Sequence, residues 1–201
     1  MTTEATSLHH ERIYQLKIHL VGISPMIWRR LLVTSGTTIV QLHHILQIAM
    51  GWEDFHLHRF RIYGKELGIG YEGGIHFSDD PWQVELGDFR PRINDIFHYD
   101  YDFGDGWEHQ IRVEKILDPD PKKKYPRCID GKRSCPPEDS GGPWAYQEAL
   151  HVLKRRRHPD RRFVRENLGR NFDPTLFRRG PMNQAFRNRE HDVRQAKERS
   201  V

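Results

Sequence analysis

The triplet His56-Leu57-His58 sets two imidazoles around one apolar residue, and on a β-strand both would project to the same side. Paired histidines of this kind can hold a divalent metal for phosphodiester cleavage, with a tyrosine forming a phosphotyrosyl bond. Tyr63, Tyr101 and Tyr146 are candidate nucleophiles, and nothing in the spacing selects among them. Phe60 and Ile62 continue the same side, so the plainer expectation is two histidines at the edge of a core stripe. A second group, Tyr101, Asp102, Asp105, Trp107 and His109, joined by Asp100 and Glu108, brackets the turn Gly104-Asp105-Gly106. Clustered carboxylates beside an imidazole suit acid–base work or magnesium binding. Alternation, however, sends Asp100 and Asp102 away from the aromatic residues, and aspartate in a turn commonly serves local backbone hydrogen bonds.

Cys128 and Cys135 are the two cysteines, in a Pro/Gly-rich loop that continues through Glu138 and Asp139. A zinc site there needs two more ligands, with His109 or Asp130 as the candidates, and the spacing is not that of a zinc finger. Two small thiols buried under a loop are the simpler expectation, so neither metal nor cofactor is assigned. The strongest charge lies further on: residues 151–201 hold 15 Lys+Arg against 6 Asp+Glu, whereas residues 1–150 hold 17 against 22. Arg155, Arg156, Arg157, Arg161 and Arg162 lead this basic quarter, and guanidinium forks suit phosphate oxygens. Nucleic acid is therefore the first anionic partner to expect. Phe163, Phe172, Phe177 and Phe186 interleave the arginines and are expected to anchor short helices to the core.

These groups need elements to position them. Tyr14, Leu16, Ile18 and Leu20 alternate with polar residues as a strand does, and Gly22 to Pro25 turns the chain into a second strand from Ile27 to Val33, paired antiparallel. Thr38 with Gln41 reads as a capping box for a helix that runs through Leu42, Leu46 and Met50 to Gly51. His56 to Tyr63 reads as a third strand, and the glycines from Gly64 to Gly74 mark a long irregular excursion. Phe97, Tyr99, Tyr101 and Phe103 fall on one face of a hairpin whose return strand faces Trp107, His109, Ile111 and Val113 the same way. A polar connector from Asp118 to Tyr125 follows, then helices after Pro143, over 161–168 and over 181–199. The architecture expected is α+β: a mixed, mainly antiparallel sheet in strand-strand-helix-strand order followed by a hairpin, roll-like or grasp-like, with C-terminal helices.

The 201 residues, 36% hydrophobic and 11% aromatic, support a folded chain, and Met1 to His10 show neither an apolar run nor a cleavage signature. A cytoplasmic protein without membrane association is the expectation, with a disordered stretch over 1–10, one domain over 11–187 and a basic helix end or tail over 188–201. A phosphate-binding Gly-x-x-x-x-Gly-Lys loop is absent, and neither Ser7 nor Ser24 sits in the sheet-and-helix alternation that a serine recombinase needs.

Several short motifs stand together in order: Trp28-Arg29-Arg30; His56-Leu57-His58 with Phe60; Tyr101-Asp102-Phe103-Gly104-Asp105 with Trp107 and His109; Cys128 with Gly131; Cys135-Pro136-Pro137-Glu138-Asp139; Gly141-Gly142; and Phe172-Asp173-Pro174 with Phe177. As a set they resemble the plasmid open-reading-frame-three-like family, first described on a root-inducing plasmid and also labelled insertion-element passenger TnpR-like. The resemblance implies a plasmid or transposable-element context and carries no assigned reaction. In that family the Pro-Glu-Asp run is usually followed by Cys-Gly-Gly, whereas here Ser140 takes the place of the cysteine and removes a sulfur that a thiolate metal site would use. The expectation is a non-catalytic accessory protein with a nucleic-acid or protein partner and no small-molecule substrate. The alternatives are a metal-dependent phosphodiesterase or nicking enzyme centred on His56 and His58, and a protein-interaction module using the loop from Cys128 to Trp144.

Overall fold

The structure, a computed structural model, describes residues 11–70 and 75–198. The stretch 1–10, expected to be disordered, lies outside them. Strand β1 (Ile13–Leu20) pairs antiparallel with β2 (Trp28–Thr34), with Leu16 opposite Leu31 and Ile18 opposite Arg29. Helix α1 (Ile39–Met50) begins as the capping box requires: Thr38 Oγ1 accepts from the Gln41 amide at 3.2 Å and Gln41 Oε1 accepts from the Thr38 amide at 2.9 Å. Gly51 ends the helix in the left-handed region at φ 81°. The last turn of α1 has no basic residue of its own, and β2 supplies one. Buried Arg29 donates to the Ala49 carbonyl at 2.9 Å, to Lys132 O at 3.1 Å and to Cys135 Sγ at 3.0 Å, which sets positive charge at the negative end of the helix. Arg30, one residue on, turns outward to Glu114 and Asp130.

Strand β3 (His58–Ile62), β4 (Lys65–Leu67), β5 (Ile96–Tyr101), β6 (Trp107–Leu117) and β7 (Arg127–Lys132) complete a seven-stranded sheet in the order β4-β3-β5-β6-β1-β2-β7, each ladder antiparallel. One face of it joins α1 in a core that includes Leu16, Ile18, Leu31, Leu42, Leu46, Phe60, Phe97 and Tyr99. The α+β architecture expected from the alternation is the one found. Three local readings change. The excursion after Tyr63 begins with strand β4, reached through a tight turn at Tyr63 and Gly64, with φ 49° and 82°. The segment around Cys128, read as loop, is edge strand β7. Phe103 does not follow the aromatic row of Phe97, Tyr99 and Tyr101 inward, because Asp102 enters the left-handed region at φ 53° and turns the chain one residue early.

Helix α2 (Gly142–Lys154), α3 (Arg161–Asn167) and α4 (Arg179–Glu198) follow. Asn183 of α4 uses its side-chain amide to accept from the Cys128 N–H at 2.8 Å and to donate to the Cys128 carbonyl at 2.9 Å, so the helix closes the edge that β7 would leave open. Gly142 lets the start of α2 approach the hairpin tip. A side chain there would meet Asp105 O at 2.1 Å, and Asp105 Oδ2 also accepts from the Gly141 amide at 3.0 Å.

Candidate functional site

At the end of the sheet where β3 starts and β5 ends, the chain gathers polar groups under α1. His43 and Gln47 sit one helical turn apart on the buried side of α1, and both reach the buried Tyr99 of β5. His43 Nδ1 lies 2.8 Å from Tyr99 Oη, and Gln47 Nε2 donates to that oxygen at 2.9 Å. The other nitrogen of His43, Nε2, is 2.7 Å from Asp54 Oδ1, and His44 Nδ1 is 3.5 Å from Asp54 Oδ2. Asp54 occupies the left-handed region at φ 67° in the loop after Gly51, a conformation that turns its carboxylate back under the helix. Burial alone would raise the pKa of that carboxyl, but the hydrogen bond with His43 and the nearby histidines outweigh it and hold it below the ordinary value. His58, the first residue of β3, stacks on His43 with ring centroids 3.6 Å apart and planes 9° from parallel. It is 2% exposed, and neither of its ring nitrogens has a hydrogen-bond partner among the described residues. Burial and the neighbouring His43 push its pKa down to about 3, so the ring is neutral at physiological pH.

A second group lies beside the first. His56 Nε2 is 3.0 Å from Asp139 Oδ1 and 3.7 Å from the buried Asp102. Asp102 Oδ1 also accepts from the Gly104 and Asp105 amides, so its carboxylate organises the hairpin turn. The Cys135-to-Asp139 run folds over this end of the sheet. Trp52 Nε1 donates to Pro136 O at 2.9 Å, the Glu53 amide donates to Glu138 Oε2 at 2.7 Å, and Tyr101 Oη donates to Glu138 Oε1 while accepting from the Phe55 amide. The Tyr101 hydroxyl is raised above its ordinary pKa by burial and by Glu138, so it stays protonated.

His56 and His58 are therefore not a chelating pair on one strand face. The β3–β5 pairing runs to His58 opposite Tyr101 and one bond further, from the Asp102 amide to Leu57 O at 2.9 Å, and beyond it His56 turns to Asp102 and Asp139. His109 is buried in β6, with Nδ1 3.1 Å from Tyr99 O and its ring edge-on to Trp52, and burial lowers its pKa to about 4. Trp107 is buried next to Trp52, and Asp105 serves the Gly141 contact. Cys128 and Cys135 are free thiols, both buried, and the groupings with metal-ligand spacing among the described residues do not contain them. His43, His44 and Asp54 are the members that sequence reasoning missed. The helical stripe was counted on its apolar positions, although His43 and Gln47 occupy the same buried side.

The arginine-rich quarter folds into an open groove lined by Arg156, His158, Pro159, Arg161, Arg162, Arg165 and Arg170, with Glu166 as the carboxylate. Glu166 meets Arg162 at 3.2 Å and Arg170 at 3.9 Å, and Arg161 spends one N–H on Leu153 O. Arg156 and Arg165 have no carboxylate within ion-pair distance among the described residues. The outer face of the sheet is different, since Arg59 and Arg61 share Asp100, and Arg61 also takes Glu108. Arg155 closes α2, and Arg155 and Arg157 do not line the groove. Phe186 is buried, and Phe172 and Phe177 pack on the core as expected. Phe163 departs from that expectation, with 65% of its surface exposed on α3.

Fold and site define a helix-backed antiparallel α+β protein with a buried histidine–tyrosine–carboxylate cluster at one sheet end and a basic groove along α3 and the residues that flank it. The chain belongs to the plasmid pRiA4b ORF-3-like family, whose model matches residues 12–180. It is similar to the uncharacterized protein y4hQ of Sinorhizobium fredii, with 36% identity over 145 residues that cover 70% of this chain and 73% of that one. A crystal structure of a protein of unknown function, MM3350 from Methanosarcina mazei Go1, superposes with a TM-score of 0.77 and 38% identity, covering 84% of this chain and 96% of that one. No helix among the described residues is long and apolar enough to cross a membrane.

Proposed function

We propose that this protein is a non-catalytic accessory factor of plasmid or transposable-element origin that binds nucleic acid through the groove formed by the link after α2, α3 and Arg170. The observation that carries this reading is the contrast in how arginines are used. On the outer face of the sheet Arg30, Arg59 and Arg61 are each paired with carboxylates, whereas the groove collects Arg156, Arg161, Arg162, Arg165 and Arg170 around Glu166 alone. Guanidinium forks converging on an open channel suit the phosphate backbone and read no bases by themselves. The exposed ring of Phe163 on the same helix offers a face on which an unpaired base stacks. A nicking role centred on His56 and His58 has less support, because the two imidazoles turn to different partners.

The test is fluorescence anisotropy with labelled duplex and single-stranded DNA, comparing the wild type with R156E/R165E. Neither arginine has a side-chain hydrogen bond or ion pair among the described residues, so the variant keeps its circular dichroism spectrum. The expected result is binding that weakens at least tenfold in the variant. Equal binding by the two proteins, or none by the wild type at low salt, rejects the groove as the contact surface.

A further inference from the structure

The cluster under α1 is independent of the basic groove and offers something the proposed function does not use. His43, His44 and Asp54 each present a ligand atom within 4.8 Å of the other two, and of these side chains Asp54 and His44 remain partly open to solvent. His58 is 2% exposed and lies flat against His43, with ring centroids 3.6 Å apart and planes 9° from parallel. A ring nitrogen binds an ion in the plane of its own ring, so the stacked His58 does not share an ion with His43 and instead fixes the plane in which His43 presents Nε2. Tyr99 Oη, itself held by Gln47, braces His43 Nδ1 from behind, as an outer partner does for a ligating imidazole.

We propose that His43, His44 and Asp54 bind one borderline divalent transition-metal ion of the zinc class. Two imidazoles and one carboxylate match the three-ligand shell in which zinc keeps its fourth position for water. Two nitrogen ligands of three set the site apart from those of calcium and magnesium, which take oxygen ligands. Two of the ligands come from α1 and one from the loop after Gly51, so the ion would tie that loop to the helix.

The experiment uses the full chain, stripped with chelator and titrated separately with zinc and with cobalt, following the heat of binding, thermal unfolding and the cobalt d–d absorbance. Two variants accompany it: H44A and D54N, at partly exposed positions where asparagine tolerates the left-handed backbone. H56A and D139N serve as controls in the neighbouring group. One equivalent bound by the wild type, a rise in melting temperature with zinc, cobalt absorbance without a sulfur charge-transfer band, at least tenfold weaker binding in both variants and unchanged binding in both controls are expected. The assignment is overturned by a wild type that binds neither ion at micromolar concentration, by unchanged affinity in either variant, by loss in H56A or D139N, or by a sulfur band that places the ion on Cys128 or Cys135.

Discussion

His109 is a fully buried imidazole with one paired nitrogen, and its neutral state is a condition of the fold. Burial sets its folded pKa at about 4 against an ordinary 6.5, so between those values the unfolded chain binds a proton that the folded chain does not. Stability is therefore full above pH 6.5 and declines as pH falls toward 4, by on the order of 3 kcal/mol for this residue alone. Urea denaturation of the wild type and of H109Q across that window should show a steeper pH slope in the wild type. Parallel slopes would mean that His109 does not carry the acid sensitivity. At this scale some roles were legible in the sequence and others were hidden. The burial of the two thiols follows from residue type, since small thiols suit interiors, whereas the local backbone bonding expected of Asp105 falls to Asp102, and Asp105 reaches the Gly141 amide instead. Asp54 was invisible because its importance comes from a positive φ and from a histidine on another element, and neither leaves a local pattern.

Among the elements, the docking of the hairpin tip on the start of α2 is the tightest fit, because the Cβ of any residue other than glycine at 142 would stand 2.1 Å from Asp105 O. Backbone cannot yield as a flexible side chain does, and φ 78° is itself strained for a residue with a Cβ. G142A should cost about 2–4 kcal/mol and speed hydrogen exchange in α2 more than in the β1–β2 ladder, whereas G64A, with open space around it and only the φ of 82° to strain it, should cost about 1–2 kcal/mol. Equal costs at the two positions would show that backbone conformation, and not the contact with Asp105, governs Gly142. Strands β1, β2, β5 and β6 and helix α1 were legible because each shows a burial period along enough residues, with a cap or a glycine at its end. β4 and β7 were not, since they are short, lie at the sheet edges and take their stability from partners: β7 from β2 and from Asn183, β4 from β3. The early turn at Asp102 was equally hidden, because side-chain alternation describes a strand and says nothing of where its ladder stops.

For the whole molecule, the net charge of +4 is the sum of an acidic sheet domain and a basic helical quarter. That division was plain from the sequence, while the convergence of arginines from the link after α2, from α3 and from Arg170 beyond it into one groove needed the fold. Phosphate binding at such a groove releases condensed counterions, so its affinity carries a fixed signature in salt. The most direct measurement is the affinity of the wild-type protein for duplex DNA from 50 to 300 mM salt. Three to five arginine–phosphate contacts predict a straight line of log affinity against log salt with a slope between about −3 and about −5. A slope near zero, or one that R156E/R165E leaves unchanged, would contradict the account.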